Sequence, residues 1–195
     1  MSTMPFQVYR IRVLKKLSVI TEDPIDFLIR EYSDNLDWEK KQTKRFYLEQ
    51  FRYLYRSHNY THDLTIHLNT AGDVEEREDL MCEAVESRLH LRALGFWEGA
   101  GRNLHYHCAC WVPNRAINKH GLEKVTKTLT SELKQRLPKA KVGAFREMKS
   151  ELDALAWGSY MMKHPLFDQR PLQIGEIPDV TAQSVQRKSK PVPII

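Results

Sequence analysis

Between residues 60 and 164 the spacing of apolar residues switches repeatedly between a period of two and a helical period. That order of elements constrains the fold of this 195-residue chain more than any other feature. Leu64, Ile66 and Leu68 alternate with Thr65, His67 and Asn69, a strand with one apolar and one polar face. Asn69-Thr70-Ala71-Gly72-Asp73 breaks it. A helix follows from Val74 to Arg92, acidic at its start and basic at its end, with Leu80, Met81, Ala84, Val85, Arg88 and Leu91 on its inner face. Gly95 stops it. Leu94-Gly95-Phe96-Trp97-Glu98 reads as a second strand, turned by residues 99–103 into a third, Leu104 to Val112. Ala116 to Gly121 connects to a helix from Leu122 to Leu137, whose Leu122, Val125, Leu129 and Leu133 form a stripe and which Pro138 ends. Lys141 to Met148 is a fourth strand. Ser150 caps a last helix, with Asp153 at the capping-box position, that runs to about His164 before Pro165.

Strand, helix, strand, strand, helix, strand is the split β-α-β arrangement of ferredoxin-like domains. The expected class is α+β: an antiparallel sheet with helices on one face, leaving the other face for a site. Residues 1–59 form a mainly helical N-terminal extension to this 60–165 domain. In it, 5–13 read as a strand or extended arm. Asp23 and Pro24 open a short helix over Ile25 to Tyr32, and a longer helix runs from Asp37 to Ser57. Tyr47, Phe51, Leu54 and Tyr55 give that helix an apolar stripe with lysines and arginines between, a pattern that suits packing and also base stacking. Residues 166–195, with Pro171, Pro178, Pro191 and Pro193, read as an extended tail.

The net charge of +5 is unevenly placed. Residues 61–113 hold nine acids and four bases, whereas residues 114–149 hold ten bases and three acids, a local excess suited to a polyanion. No apolar run approaches the roughly 18 residues of a membrane span. The N-terminal Arg10, Arg12, Lys15 and Lys16 are not followed by the apolar block of a secretory leader. Cys82, Cys108 and Cys110 have neither disulfide nor zinc-ribbon spacing. A cytoplasmic or nucleoid-associated protein without membrane attachment is expected.

Alternation puts His105, His107, Ala109 and Trp111 on one face of the third strand. Two imidazoles at i and i+2 can hold one metal ion, although His-x-His equally describes two ordinary surface histidines. Glu98, at the end of the neighbouring strand, can supply a carboxylate if the hairpin register places it on the histidine face. The five-residue loop does not fix that register. Two histidines and one carboxylate leave coordination positions open for water or substrate. On the last helix Tyr160 and Lys163 are three residues apart and share a face. A tyrosine is a nucleophile only with help, which a nearby ammonium can give.

His105-Tyr106-His107 on a strand, followed by Tyr160-Met161-Met162-Lys163 on a later helix, resembles the HUH endonucleases. These are rolling-circle replication initiators, relaxases and single-strand transposases. The likeness covers about residues 61–164, with Glu98 at the position of the third metal ligand and Leu64-Thr65-Ile66-His67-Leu68 at a loose first-strand motif. It implies Mg²⁺ or Mn²⁺ held by Glu98, His105 and His107. It implies a nucleophilic Tyr160 that becomes linked to a 5′-phosphate, with Lys163 orienting it or balancing charge. The implied partner is single-stranded or locally melted DNA, with a host replication helicase or polymerase downstream. The chain departs from the pattern in having a single motif tyrosine, no nucleotide-binding loop and a bulky Tyr106 between the histidines. A replication initiator of a phage, plasmid or virus is the leading expectation. A transposase or relaxase would use the same chemistry. A non-catalytic nucleic-acid-binding module or a zinc hydrolase would use the same scaffold or ligands for another purpose.

Overall fold

The computed structural model describes residues 5–34, 36–69, 73–99, 103–163 and 171–176; within them, the side chains of Arg115, Lys119 and His120 are not described. Strands β1 (His62–His67), β2 (Arg92–Glu98), β3 (His105–Trp111), β4 (Lys141–Glu147) and β5 (Leu172–Ile174) form one sheet in the order β4-β1-β3-β2-β5. Every pairing is antiparallel. The first four strands have the expected ferredoxin-like order, and the fold class is α+β with a helical N-terminal region. Among the described residues no helix is long and apolar enough to cross a membrane.

Helices α4 (Val74–Ser87) and α5 (Asn114–Arg136) cover one sheet face. Met81, Ala84 and Val85 of α4 and Val125, Leu129 and Leu133 of α5 pack there on Leu64, Ile66, Tyr106, Cys108 and Cys110. The period of two in β1 and β3 has this cause: every second residue faces this core. The opposite face carries its own layer. Helices α1 (Phe6–Leu17), α2 (Pro24–Glu31), α3 (Trp38–His58) and α6 (Glu151–Met161) build a second core over Leu94, Phe96 and Ala109. The face expected to be open is therefore covered up to the end that carries the histidines, and the N-terminal extension shares a core with the sheet.

Several local readings change. Residues 6–13 are helical, because the buried residues Phe6, Tyr9, Val13 and Leu17 follow a helical period. The alternation that suggested a strand came from Val8 and Ile11, which point outward at 42% and 64% exposure. Helix α4 ends at Ser87, and His90 with φ of 49° makes the turn, so Gly95 lies inside β2. There its missing side chain is required: a Cβ would sit 2.0 Å from the His107 carbonyl oxygen. Residues 116–121 belong to α5, with Gly121 breaking the helix at φ of 68°. Leu172–Ile174, read as part of the tail, adds an edge strand to β2. His164 and Pro165, the expected end of α6, lie outside the described residues.

The caps follow the sequence. Asp23, Asp37, Asp73 and Ser150 each accept a backbone N–H in the first turn of their helices. Asp153 reaches back to the Lys149 N–H and also forms a two-point ion pair with Arg10, tying α6 to α1.

Lys44 on α3 is fully buried, and its ammonium donates to the Tyr32 carbonyl at 2.8 Å, closing the end of α2. Burial pulls its pKa down to about 7. The unfolded lysine titrates near 10.4, so the folded state binds fewer protons between those values and stability rises with pH across that window. Below pH 7 the full cost of a buried charge is present. Urea unfolding at pH 6 and pH 9 should show Lys44→Met more stable than wild type at pH 6, by on the order of 2 kcal/mol. The difference should shrink at pH 9. Equal pH slopes for the two proteins would contradict the assignment.

Candidate active site

Hairpin pairing places Glu98 directly opposite His105, and Phe96 opposite His107. Glu98, His105 and His107 therefore share the face that bears Phe96, Ala109 and Thr65. The register that the loop left open is the one that brings the carboxylate to the histidines. One ligand atom from each of the three residues lies within 4.8 Å of the others. Both imidazoles approach the same carboxylate oxygen: Glu98 Oε2 is 3.0 Å from His107 Nε2 and 3.6 Å from His105 Nε2.

The other ring nitrogens are held from behind. His105 Nδ1–H donates to the Asn103 carbonyl at 2.7 Å, which leaves Nε2 as the free donor atom of a neutral ring. His107 Nδ1 lies 2.9 Å from the Thr65 hydroxyl on β1. A hydroxyl can donate or accept, so it serves His107 whether Nε2 carries a proton toward Glu98 or offers its lone pair. Thr65 stands opposite His107 in the β1–β3 register. Its place was legible only in part: the strand motif was recognised, its contact was not. His67 was also missed. Its ring stacks on His105 at 5.1 Å and lies over the β4 bulge, where Gly143 leaves the room; a Cβ there would be 2.3 Å from His67 Nε2.

Burial works against ionisation of Glu98, but the neighbouring His105 ring, the hydrogen bond with His107 and the charge of Lys163 outweigh it and hold the carboxyl well below its ordinary range. His107 goes to about 4, chiefly because it is buried, despite the hydrogen bond to Glu98. Burial works against charge on His105 too, yet the nearby Glu98 carboxylate and the bond to the Asn103 carbonyl raise it. An anionic carboxylate beside a neutral buried imidazole is a set that binds a divalent cation. The donor types and their convergence fit such an ion.

Helix α6 crosses this face and delivers Trp157, Tyr160 and, just past its end, Lys163. Trp157 Nε1–H donates to the Cys108 carbonyl at 2.9 Å, pinning the helix to β3. The Tyr160 ring stacks on Trp157 and stands 5.8 Å from the His107 ring. Phe6 and Tyr9 of α1 close its other sides at 5.0 and 5.4 Å. Tyr9 also donates to Ser159 Oγ at 2.8 Å. Tyr160 is 7% exposed, and burial followed by the Glu98 charge raises its pKa to about 12. Lys163 Nζ lies 3.3 Å from Glu98 Oε2 and 3.2 Å from the Tyr160 ring centre. All five residues singled out from sequence thus meet in one place.

The basic stretch does not join them as a whole. Helix α5 lies on the opposite sheet face, so Lys124, Lys127 and Lys134 do not line the cluster. Lys141, paired in register with His67, and Lys139, whose carbonyl accepts from Asn69, are members of that stretch at this end of the sheet. Against protein-family models, curated proteins and solved structures, the chain gives no match.

Replacing Thr65 by Val keeps the strand residue's shape and removes the partner of His107. Affinity for Mn²⁺, followed by calorimetry on the DNA-free protein, should fall on the order of 10-fold. Glu98→Gln should lower it further. Unchanged affinity in Thr65→Val would mean that the hydroxyl does not hold His107.

Proposed function

We propose that this chain is a metal-dependent nickase and strand-transferase for single-stranded or locally melted DNA. The mechanism would be that of the HUH endonucleases, serving as a rolling-circle replication initiator of a phage, plasmid or virus. The observation that carries the reading is the placement of the Tyr160 ring beside His107. Two motifs far apart in sequence meet at one point, which a shared substrate phosphate would explain.

On this reading Glu98, His105 and His107 would hold Mg²⁺ or Mn²⁺. A bound ion would supply Lewis-acid polarisation of the scissile phosphate. Tyr160 Oη attacks phosphorus; the bond to the 3′-oxygen breaks, the phenol gives up its proton and the departing 3′-oxygen gains one. The product is a 5′-phosphotyrosine and a free 3′-hydroxyl. Phosphodiester is exchanged for phosphodiester, so a 3′-hydroxyl can reverse the step and rejoin the strand. Trp157, Phe6 and Tyr9 fix the ring that attacks, and Lys163 places positive charge against it. The freed 3′-end would serve a host polymerase, with a helicase opening the duplex ahead of it.

Incubation with single-stranded DNA carrying its recognised site and Mn²⁺ should give an adduct that survives denaturation. Tyr160→Phe should abolish the adduct, and His107→Ala should reduce it at least ~100-fold with far-ultraviolet circular dichroism unchanged. Cleavage that persists in Tyr160→Phe would instead mark a metal-dependent hydrolase. Metal-independent binding without cleavage would mark a non-catalytic module.

A further inference from the structure

Lys163 places an ammonium against the carboxylate of the candidate metal cluster. Its ammonium is 3.3 Å from Glu98 Oε2, the oxygen on which His105 and His107 also converge. The contact is an ion pair of poor hydrogen-bonding geometry: Nζ is sequestered from solvent and has no hydrogen-bond acceptor among the described residues. On its other side lies the Tyr160 ring. An ammonium normally satisfies three donors, and here it meets one carboxylate edge and one π-face. That is an incompletely satisfied cation on the carboxylate of the cluster.

We infer that Lys163 is a built-in competitor for the metal, displaced when a divalent ion binds Glu98, His105 and His107, and that the displaced ammonium goes to the substrate phosphate. The inference rests on the proposed function for the identity of that phosphate and deepens it into an ordered site. A divalent ion bound to Oε2 and an ammonium on the same oxygen repel each other at a distance where burial leaves little screening. Lys163 lies beyond the last residue of α6, anchored by its backbone N–H to the Tyr160 carbonyl. Its side chain can therefore swing without moving the helix that carries the nucleophile. The nearest new anion lies where Tyr160 would attack. Metal and DNA phosphate are then coupled through one side chain: without phosphate, the lysine opposes the metal; with phosphate, the lysine has an alternative partner and the opposition is lost. Coupling of this kind is reciprocal, so metal also favours phosphate.

The test is a Mn²⁺ titration read by electron paramagnetic resonance of the free ion, on the full chain and without DNA. Lys163→Met should bind Mn²⁺ on the order of 10-fold more tightly than wild type, whereas Lys163→Arg, which keeps the charge, should not. Glu98→Gln should lose binding. Adding oligothymidylate should tighten Mn²⁺ binding to wild type and leave Lys163→Met unchanged. Equal or weaker Mn²⁺ binding by Lys163→Met, with wild type binding normally, overturns the competition and leaves the nuclease reading standing. No gain with oligothymidylate overturns the coupling. Absence of Mn²⁺ binding by wild type and Lys163→Met alike removes the metal site itself, and the nuclease reading with it.

Discussion

A buried carboxylate that stays charged organises this molecule. Glu98 is 8% exposed, a setting that ordinarily drives a carboxyl to take up a proton. It does not, because three groups from two segments of chain meet its Oε2: His105 and His107 from β3 and the Lys163 ammonium just past the end of α6. Each is useful only if its backbone is correctly placed. Glu98 therefore sets demands on the β2–β3 register and on the docking of α6. Gly95 meets the first by letting β2 approach β3 closely, and Trp157 meets the second through its bond to the Cys108 carbonyl.

The same logic explains why the N-terminal extension belongs to the site. Helix α6 is buried around its whole circumference, at every residue from Asp153 to Met161. Such a helix needs neighbours on every side. The sheet supplies one, and α1 and α3 supply the others through Phe6, Tyr9, Leu48 and Phe51. Polar contacts then fix its rotation. Arg10 grips Asp153 at one end, and Tyr9 grips Ser159 beside the candidate nucleophile. A second pair, Asp63 with Arg146, joins β1 to β4 below them; burial raises Asp63 to about 6 despite the arginine.

Much of this was legible in the sequence, for physical reasons that differ by element. The six-element order could be read because one face of each strand and one stripe of each helix is buried, so the periods survive in the chain. Glu98, His105, His107, Tyr160 and Lys163 were found because their residue types and spacing suggest chemistry. Tertiary contacts decided the rest. Nothing in residues 5–13 announces that Val8 and Ile11 face outward, so α1 looked extended. Nothing local to Thr65 says that it meets His107. The basic stretch carried real charge, but composition does not say which sheet face α5 covers. An apolar α6 flanked by an unassigned extension was the one available hint that the second face would be covered.

Burial of Tyr160 poses the central chemical problem for the proposed reaction, and also favours its outcome. A phenol pushed to about 12 is a poor source of phenolate near neutrality. Attack then requires positive charge at the phosphate, which a cation on Glu98, His105 and His107 and the Lys163 ammonium would together provide. The aromatic walls that raise the pKa also restrict water around the ring, through Phe6, Tyr9 and Trp157. A phosphotyrosine in a wet site would be exposed to hydrolysis, and the strand would be cut without being rejoined. In a dry site, a returning 3′-hydroxyl positioned by base contacts has the advantage over solvent. On the proposed reaction, the cost of activating a buried tyrosine and the protection of its covalent product would have one structural cause, the packing of α1 and α6 around the Tyr160 ring.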